Sequence, residues 1–345
     1  MTAGFDALGL PGLLAVFAAA AAAVATAGTR LAGEADRLAD RTGLGEAIAG
    51  VVLLGMATSL AGTVVSVTAA ADGRASLAFA NAVGGIAAQT AFLAVADLMH
   101  RRVNLEHAAA ELANVMQAAL LSLMLSLPLL AAFGPEVAVL GVHPVSLALP
   151  VIWVAGARAG TRLREAPMWR PVATPDTRRD APEAGAAQAA LGPLILRFAA
   201  LTAVLGVAGW VISETGGRIA DRAGVSETAV GALLTATSTS LPELVTTLAA
   251  VRRGAVQLAV GGIVGGNGFD VLFLTLSDVA YREGSIYHAV GPADLFWLAV
   301  GLAATAVLLL GLIIRERRGV GGIGFESAGV LLLWFGAILV QAWAG

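Results

Sequence analysis

What most constrains this chain is the recurrence of apolar stretches about 20 residues long, the length a helix needs to cross a bilayer. Ten of them run at 9–28, 45–71, 75–98, 106–131, 137–157, 193–213, 226–251, 255–280, 291–314 and 325–343. With 58% hydrophobic and only 13% charged residues, a water-soluble fold has nowhere to bury so much apolar surface. The predicted fold class is an all-α integral membrane protein with ten transmembrane helices, and its many glycines and alanines suit close helix packing in lipid.

Composition also removes classes of chemistry. There is no cysteine, which excludes disulfides and thiolate metal sites. Every basic residue is arginine, which excludes a lysine nucleophile or Schiff base. No nucleotide loop, hydrolytic triad or metalloprotease motif is present, so neither an enzyme nor a bound cofactor is expected. A net charge of -3 favours no nucleic acid partner, and the expected partners are membrane lipid and small inorganic cations.

Arginine placement sets a topology. No arginine precedes Arg30, and Arg30, Arg37 and Arg41 come after the first apolar stretch, the reverse of a secretory leader. That stretch reads as a retained span with its N-terminus outside. On this orientation seventeen arginines fall in inner loops and span ends, against four outside, Arg74, Arg218, Arg222 and Arg282. Arginine concentrates on the cytoplasmic side, so both termini are expected outside, in the inner membrane of a bacterium. The polar segment 158–190 reads as a cytoplasmic linker between an N-terminal half, 1–157, and a C-terminal half, 191–345. Five spans in each half place the halves in opposite orientations.

The halves are also related in sequence. A single gapless register that lays Arg37 on Arg218 also pairs Asp40, Arg41, Gly43 and Glu46 with Asp221, Arg222, Gly224 and Glu227. It pairs Thr58-Ser59-Leu60 with Thr239-Ser240-Leu241, Gly84-Gly85 with Gly265-Gly266, and Asp97 with Asp278. The repeats run at about 43–98 and 224–279. A unit duplicated in opposite orientations is the plan of secondary transporters, whose sites lie at the midplane where helices break.

Two acids lie within this repeated region at membrane depth. Glu243 follows Thr239, Ser240, Leu241 and Pro242, and Asp270 follows a glycine-rich segment containing Gly265, Gly266, Asn267 and Gly268. Pro242 removes a backbone donor and is expected to break or kink its helix, while glycines permit close helix crossing. Intramembrane acids mark ion pathways by default. Carboxylates, hydroxyls and carbonyls are hard ligands, suited to calcium, sodium or a proton.

The run Thr239-Ser240-Leu241-Pro242-Glu243-Leu244 followed by Gly266-Asn267-x-Phe269-Asp270 resembles the alpha-repeat signature of the sodium/calcium exchanger family, within the cation/calcium antiporter superfamily. The resemblance implies inverted five-helix halves, cation sites between the two repeats, and first and sixth helices that slide across a rigid core. The intramembrane acids, the duplication and this resemblance together give Glu243, Asp270, Thr239, Ser240, Thr58, Ser59 and Gln89 as the expected cation-binding residues, with Glu243 and Asp270 as the metal-ligating acids. Pro242, Gly62, Gly85, Gly266 and Asn267 are read as helix-break or packing positions.

The first repeat departs from that signature. Gly62 stands where the family has glutamate, Gln89 where it has asparagine, and in the second repeat Gly266 stands where serine is usual. One calcium ion balances two carboxylates, and a missing third acid weakens further cations by a few kcal/mol, since unit charges 4 Å apart interact by roughly 4 kcal/mol at an effective dielectric of about 20. The function expected is secondary active cation antiport by alternating access, with altered stoichiometry or selectivity. The alternatives are a cation/proton exchanger that does not use calcium and a non-transporting, sensor-like relative.

Other polar residues read as structural. Glu46 and Glu227 suit helix starts, and Asp97 and Asp278 are expected at the interface. His107, Glu111 and Asn114 are expected on one helical face as a polar contact, and the six tryptophans as interfacial anchors.

Overall fold

The computed structural model describes residues 3–42, 58–100, 103–165, 168–177, 191–319 and 322–344. The described residues are almost entirely helical, and their one piece of β structure is an isolated bridge between Val139 and Val142. The principal helices are α1 (Leu10–Thr42), α2 (Leu60–Ala71), α3 (Ala75–Met99), α4 (Leu112–Phe133), α5 (Pro144–Glu165) and α6 (Leu191–Ala223). After a helical stretch at 227–239 come α7 (Leu241–Arg253), α8 (Val256–Asp270), α9 (Leu272–Ala280), α10 (Pro292–Ile314) and α11 (Phe325–Ala344).

Among the described residues, seven helical segments are long and apolar enough to cross a membrane: Leu10–Glu34, Ala75–Met99, Leu112–Phe133, Leu191–Ala223, Val256–Ala280, Pro292–Ile314 and Phe325–Trp343. The other three expected spans differ for local reasons. Much of the second, including Gly43 and Glu46, lies outside the described residues. The fifth begins at Pro144 rather than at 137, because residues 138–143 turn through left-handed Leu140 and Gly141. It then runs on to Glu165, so the start of the expected linker is helical and polar. The seventh is divided at Ser240 into pieces too short to count alone.

Helix α3 is the axis of the bundle. Of its membrane-length window 83% is buried, against 28% for α1 and 22% for α6, which pack along each other at the periphery. Small residues explain the difference: at Gly84 an added Cβ would lie 2.5 Å from Ala232 Cα, so the 227–239 stretch rests directly on α3 backbone. Apolar side chains of α3, α4, α9 and α10, among them Phe79, Leu121, Phe273 and Trp297, close the largest core cluster. Trp297 is therefore no interfacial anchor: it is fully buried, and its indole N–H donates to Gln341 Oε1 at 3.1 Å.

The polar rim corrects two further expectations. Asp97 and Asp278 are 2% and 0% exposed, because each satisfies free N–H groups at helix starts. Asp97 accepts from Leu105 N at 2.7 Å and Gly324 N at 3.3 Å, and Asp278 from Ile286 N at 3.0 Å and His143 N at 2.8 Å. The register of the internal repeat pairs Leu105 with Ile286 and His143 with Gly324, so the two sets of donors are themselves repeat partners. The fourth span starts with a separate short helix, Leu105–Ala108, and the chain is extended at Glu111 before α4. His107, Glu111 and Asn114 thus share no helical face; the His107 ring contacts Arg315 O and Thr174 Oγ1 instead. Glu227 does lie in a first helical turn, paired with Arg74 at 2.6 Å.

Candidate functional site

Two equivalent helix starts build the site. Ser59 and Ser240 precede α2 and α7 with nearly the same backbone, φ -82°, ψ 0° and φ -92°, ψ 3°. Proline is not what sets this backbone, since the first copy has Ala61 where the second has Pro242. Pro242 sits in the first turn of α7, where its missing N–H costs nothing. The hydroxyls just before each helix start are thereby turned toward α3 and the end of α8.

Between the two helix starts lies a cavity of about 10 Å³, close to the least that holds one water-sized particle, lined by Ser59, Gly62, Asn81, Gly85, Gln89, Thr239, Ser240, Glu243, Asp270 and Phe273. A larger open cleft of about 490 Å³, between residues 29–37 of α1 and 197–201 of α6, holds none of the expected ligands. Of the seven expected cation-binding residues, six line the small cavity. The seventh, Thr58, is joined to it through a side-chain hydrogen bond with Glu243.

The contacts obey the internal repeat. Ser59 Oγ donates to Asp270 Oδ1 at 2.5 Å, and in the equivalent place Gln89 Nε2 donates to Ser240 Oγ at 3.1 Å. Gln89 and Asp270 are themselves repeat partners, and Gln89 Nε2 also donates to Asp270 Oδ2 at 2.6 Å. Asn267 donates to Thr90 Oγ1 at 3.1 Å, fastening α8 to α3, but does not line the cavity. Thr239 Oγ1 donates back to Thr235 O at 3.0 Å, which leaves its lone pairs free to accept.

Charge balance is what sets this cavity apart. Glu243 is 6% exposed and Asp270 2% exposed, and no ion pair among the described residues includes either. Glu243 Oε2 and Gln89 Oε1 are buried without any hydrogen-bond donor among the described residues. Buried carboxylates without a counter-charge cost several kcal/mol each, so the arrangement is stable only with a cation or protons to neutralise it.

Sequence reasoning missed what replaces the absent glutamate of the first repeat. A Cβ at Gly62 would lie 2.8 Å from Phe273 Cε2, so the aromatic ring fills the space of that side chain. It also missed a pair of helix crossings. A Cβ at Gly28 of α1 would collide with Pro242 Cγ, and one at Gly209 of α6 would lie 2.7 Å from Ala61 O. Gly28 and Gly209, like Ala61 and Pro242, are repeat partners. The outer helices therefore touch the core at Ala61 and Pro242, each one position before a site-lining residue, Gly62 and Glu243.

The sodium/calcium exchanger protein family matches residues 12–153 and 193–344. The chain belongs to the sodium/calcium exchanger family. Among relatives of this family, the inner membrane protein YrbG of Escherichia coli (strain K12) is 29% identical over 141 residues, 40% of this chain and 43% of that protein. The sodium/calcium exchanger MaX1 of Methanosarcina acetivorans is 32% identical over 122 residues, 34% of this chain and 33% of that one. The matched segments thus span less than half of these relatives. By fold the chain is similar to the crystal structure of the H+/Ca2+ exchanger CAX, with a TM-score of 0.69 at 13% identity, covering 99% of this chain and 90% of that one. Membership of this family and the seven apolar helices make the chain an integral membrane protein.

Proposed function

We propose that this exchanger-family member is a secondary active antiporter that moves calcium against two monovalent cations, sodium or protons, by alternating access. The observation that carries the reading is the cavity at Ser59, Gln89, Ser240, Glu243 and Asp270, where two buried acids and an unpartnered amide oxygen converge with no basic group. Glu243 and Asp270 supply its charge, while Thr58, Ser59, Thr239, Ser240 and Gln89 supply neutral oxygens to a hard cation. Two carboxylates are balanced by one divalent ion or two monovalent ones. Phe273 in the place of a third acid disfavours a third monovalent ion, which makes the exchange electroneutral.

The topology belongs to the same proposal. Ten helices form two inverted five-helix halves, 1–157 and 191–345, joined by a cytoplasmic linker at 158–190, with both termini outside and the protein in a bacterial inner membrane. Supporting it are the arginine distribution and the contacts that recur in the register of the internal repeat. The glycine crossings at Gly28 and Gly209 suit α1 and α6 as the sliding elements, since flat backbone-to-side-chain contacts glide without interlocking.

Protons are favoured over sodium by one feature, the small size of the cavity: two carboxylates can each take a proton with no further ligands and no added room. Labelled calcium uptake into proteoliposomes decides the reading. Uptake driven by an outward gradient of sodium or of protons, unaltered by a clamped membrane potential and abolished in Glu243→Gln, is expected. Uptake that Glu243→Gln leaves intact would overturn the assignment.

A further inference from the structure

The two rims of the bundle derive from one repeated unit, and they differ in the acids they carry. Around Asp278 the Tyr287 hydroxyl and Ser146 Oγ hydrogen-bond each other at 2.8 Å, both buried. The register of the repeat pairs Tyr287 with Glu106, Val145 with Glu326 and Ser146 with Ser327. Around Asp97 the tyrosine and valine positions have therefore become acids.

Those acids converge. One oxygen from each of Asp97, Glu106 and Glu326 lies within 4.8 Å of the others, and the three side chains are 2%, 1% and 1% exposed. Glu106 and Glu326 hydrogen-bond each other, which takes a proton on one of them; apart from that shared proton Glu106 Oε2, both carboxylate oxygens of Glu326 and Ser327 Oγ find no side-chain donor among the described residues. Two arginines of the adjoining loop are engaged elsewhere: Arg315 donates to Val172 O and His107 O, and Arg317 to Asp176. Asp97 holds its own place through the amides of Leu105 and Gly324, which fixes one carboxylate beside the hydrogen-bonded pair Glu106 and Glu326. A buried polar group left unpaired costs about 1–3 kcal/mol, and more when charged. Three buried acids in one spot, with no ion pair among the described residues to any of them, call for a cation.

We propose that Asp97, Glu106 and Glu326, with the Ser327 hydroxyl, bind a calcium ion at a site separate from the cavity of Glu243 and Asp270. Hard carboxylate oxygens in an irregular, buried shell suit calcium, which takes six to eight oxygens in flexible geometry; magnesium demands a near-octahedral shell and keeps waters for which this rim has no exposure. The ion ties together the end of α3, the short helix before α4 and the start of α11. It sits at the arginine-rich end, the cytoplasmic one on the topology proposed above, where internal calcium has access.

Equilibrium binding of labelled calcium to the detergent-purified full chain tests this, with both acids of the transport cavity neutralised as Glu243→Gln/Asp270→Asn. That variant is expected to bind about one calcium per protein, undisplaced by tenfold magnesium, and to lose it when Glu326→Gln is added. A second variant guards against misfolding: Glu106→Tyr with Glu326→Val copies the other rim, so it is expected to unfold at a higher temperature than the parent without calcium and to show no calcium-dependent rise. A monodisperse Glu243→Gln/Asp270→Asn protein that binds no calcium overturns the proposal, as does binding that survives both rim variants. Binding displaced equally by magnesium would overturn the choice of calcium.

Discussion

Asp270→Asn keeps the shape of the side chain and its neighbours Ser59 and Gln89 while deleting one of the two negative charges in the cavity. A unit charge 4 Å from a divalent ion at an effective dielectric of about 20 contributes roughly 8 kcal/mol, and about 4 kcal/mol toward a monovalent ion. The amide oxygen remains a ligand, and the variant no longer bears the cost of burying that carboxylate, so about half of each figure should survive as lost affinity. Calcium should then bind about a thousandfold more weakly and sodium about thirtyfold more weakly, at about 1.4 kcal/mol per factor of ten. The ratio of calcium to sodium affinity thus falls by roughly thirtyfold. Calcium titrations of the purified protein, followed by binding of labelled ion with sodium as competitor, measure both constants. The rim acids Asp97, Glu106 and Glu326 contribute a background that Glu326→Gln removes. A calcium affinity within fivefold of the parent protein would refute Asp270 as a ligand, and an equal loss for both ions would refute the charge argument.

Two other perturbations separate binding from movement and charge from shape. Gly28→Ala and Gly209→Ala place a methyl group against Pro242 and Ala61, an overpacking worth about 1–3 kcal/mol; flux is expected to fall at least tenfold while calcium affinity in detergent changes by less than threefold. Gly62→Glu alone is expected to misfold or lose transport because its Cβ meets the Phe273 ring, whereas Gly62→Glu with Phe273→Ala restores a third acid and room for it. Calcium uptake by the double variant is expected to become sensitive to membrane potential, which voltage-clamped vesicles measure.

Much of this molecule was legible in the sequence because lipid imposes simple rules. A helix in hydrocarbon must satisfy its own backbone and be apolar for about 20 residues, so α3, α4, α8 with α9, α10 and α11 were visible as runs. Glu243 and Asp270 were visible for the converse reason, as acids where none is tolerated without use. Internal repetition located Ser59 and Gln89, which no local pattern singles out. Helix ends were less legible. The turn at Leu140 and Gly141 and the break at Ala109 to Glu111 occur inside apolar sequence, where hydropathy carries no signal. The break at Ser240 reads in sequence as one at Pro242, because proline is the familiar breaker, yet Ser59, in the copy without proline, has the same backbone at the start of α2. Packing between distant segments was illegible altogether. Nothing near Gly62 announces that Phe273 fills its vacant side chain. Asp97 reads as a rim charge until Leu105 and Gly324 are brought to it.

The central claim is that one cavity, charged by Glu243 and Asp270, faces the two sides of the membrane in turn with its cation bound. The direct measurement is calcium-for-calcium exchange: vesicles loaded with labelled calcium are diluted into buffer with or without unlabelled calcium, with no sodium or proton gradient. External calcium is expected to accelerate efflux of the label several-fold, and Glu243→Gln is expected to abolish the acceleration. Efflux that is indifferent to external calcium, or acceleration that persists in Glu243→Gln, would contradict the account.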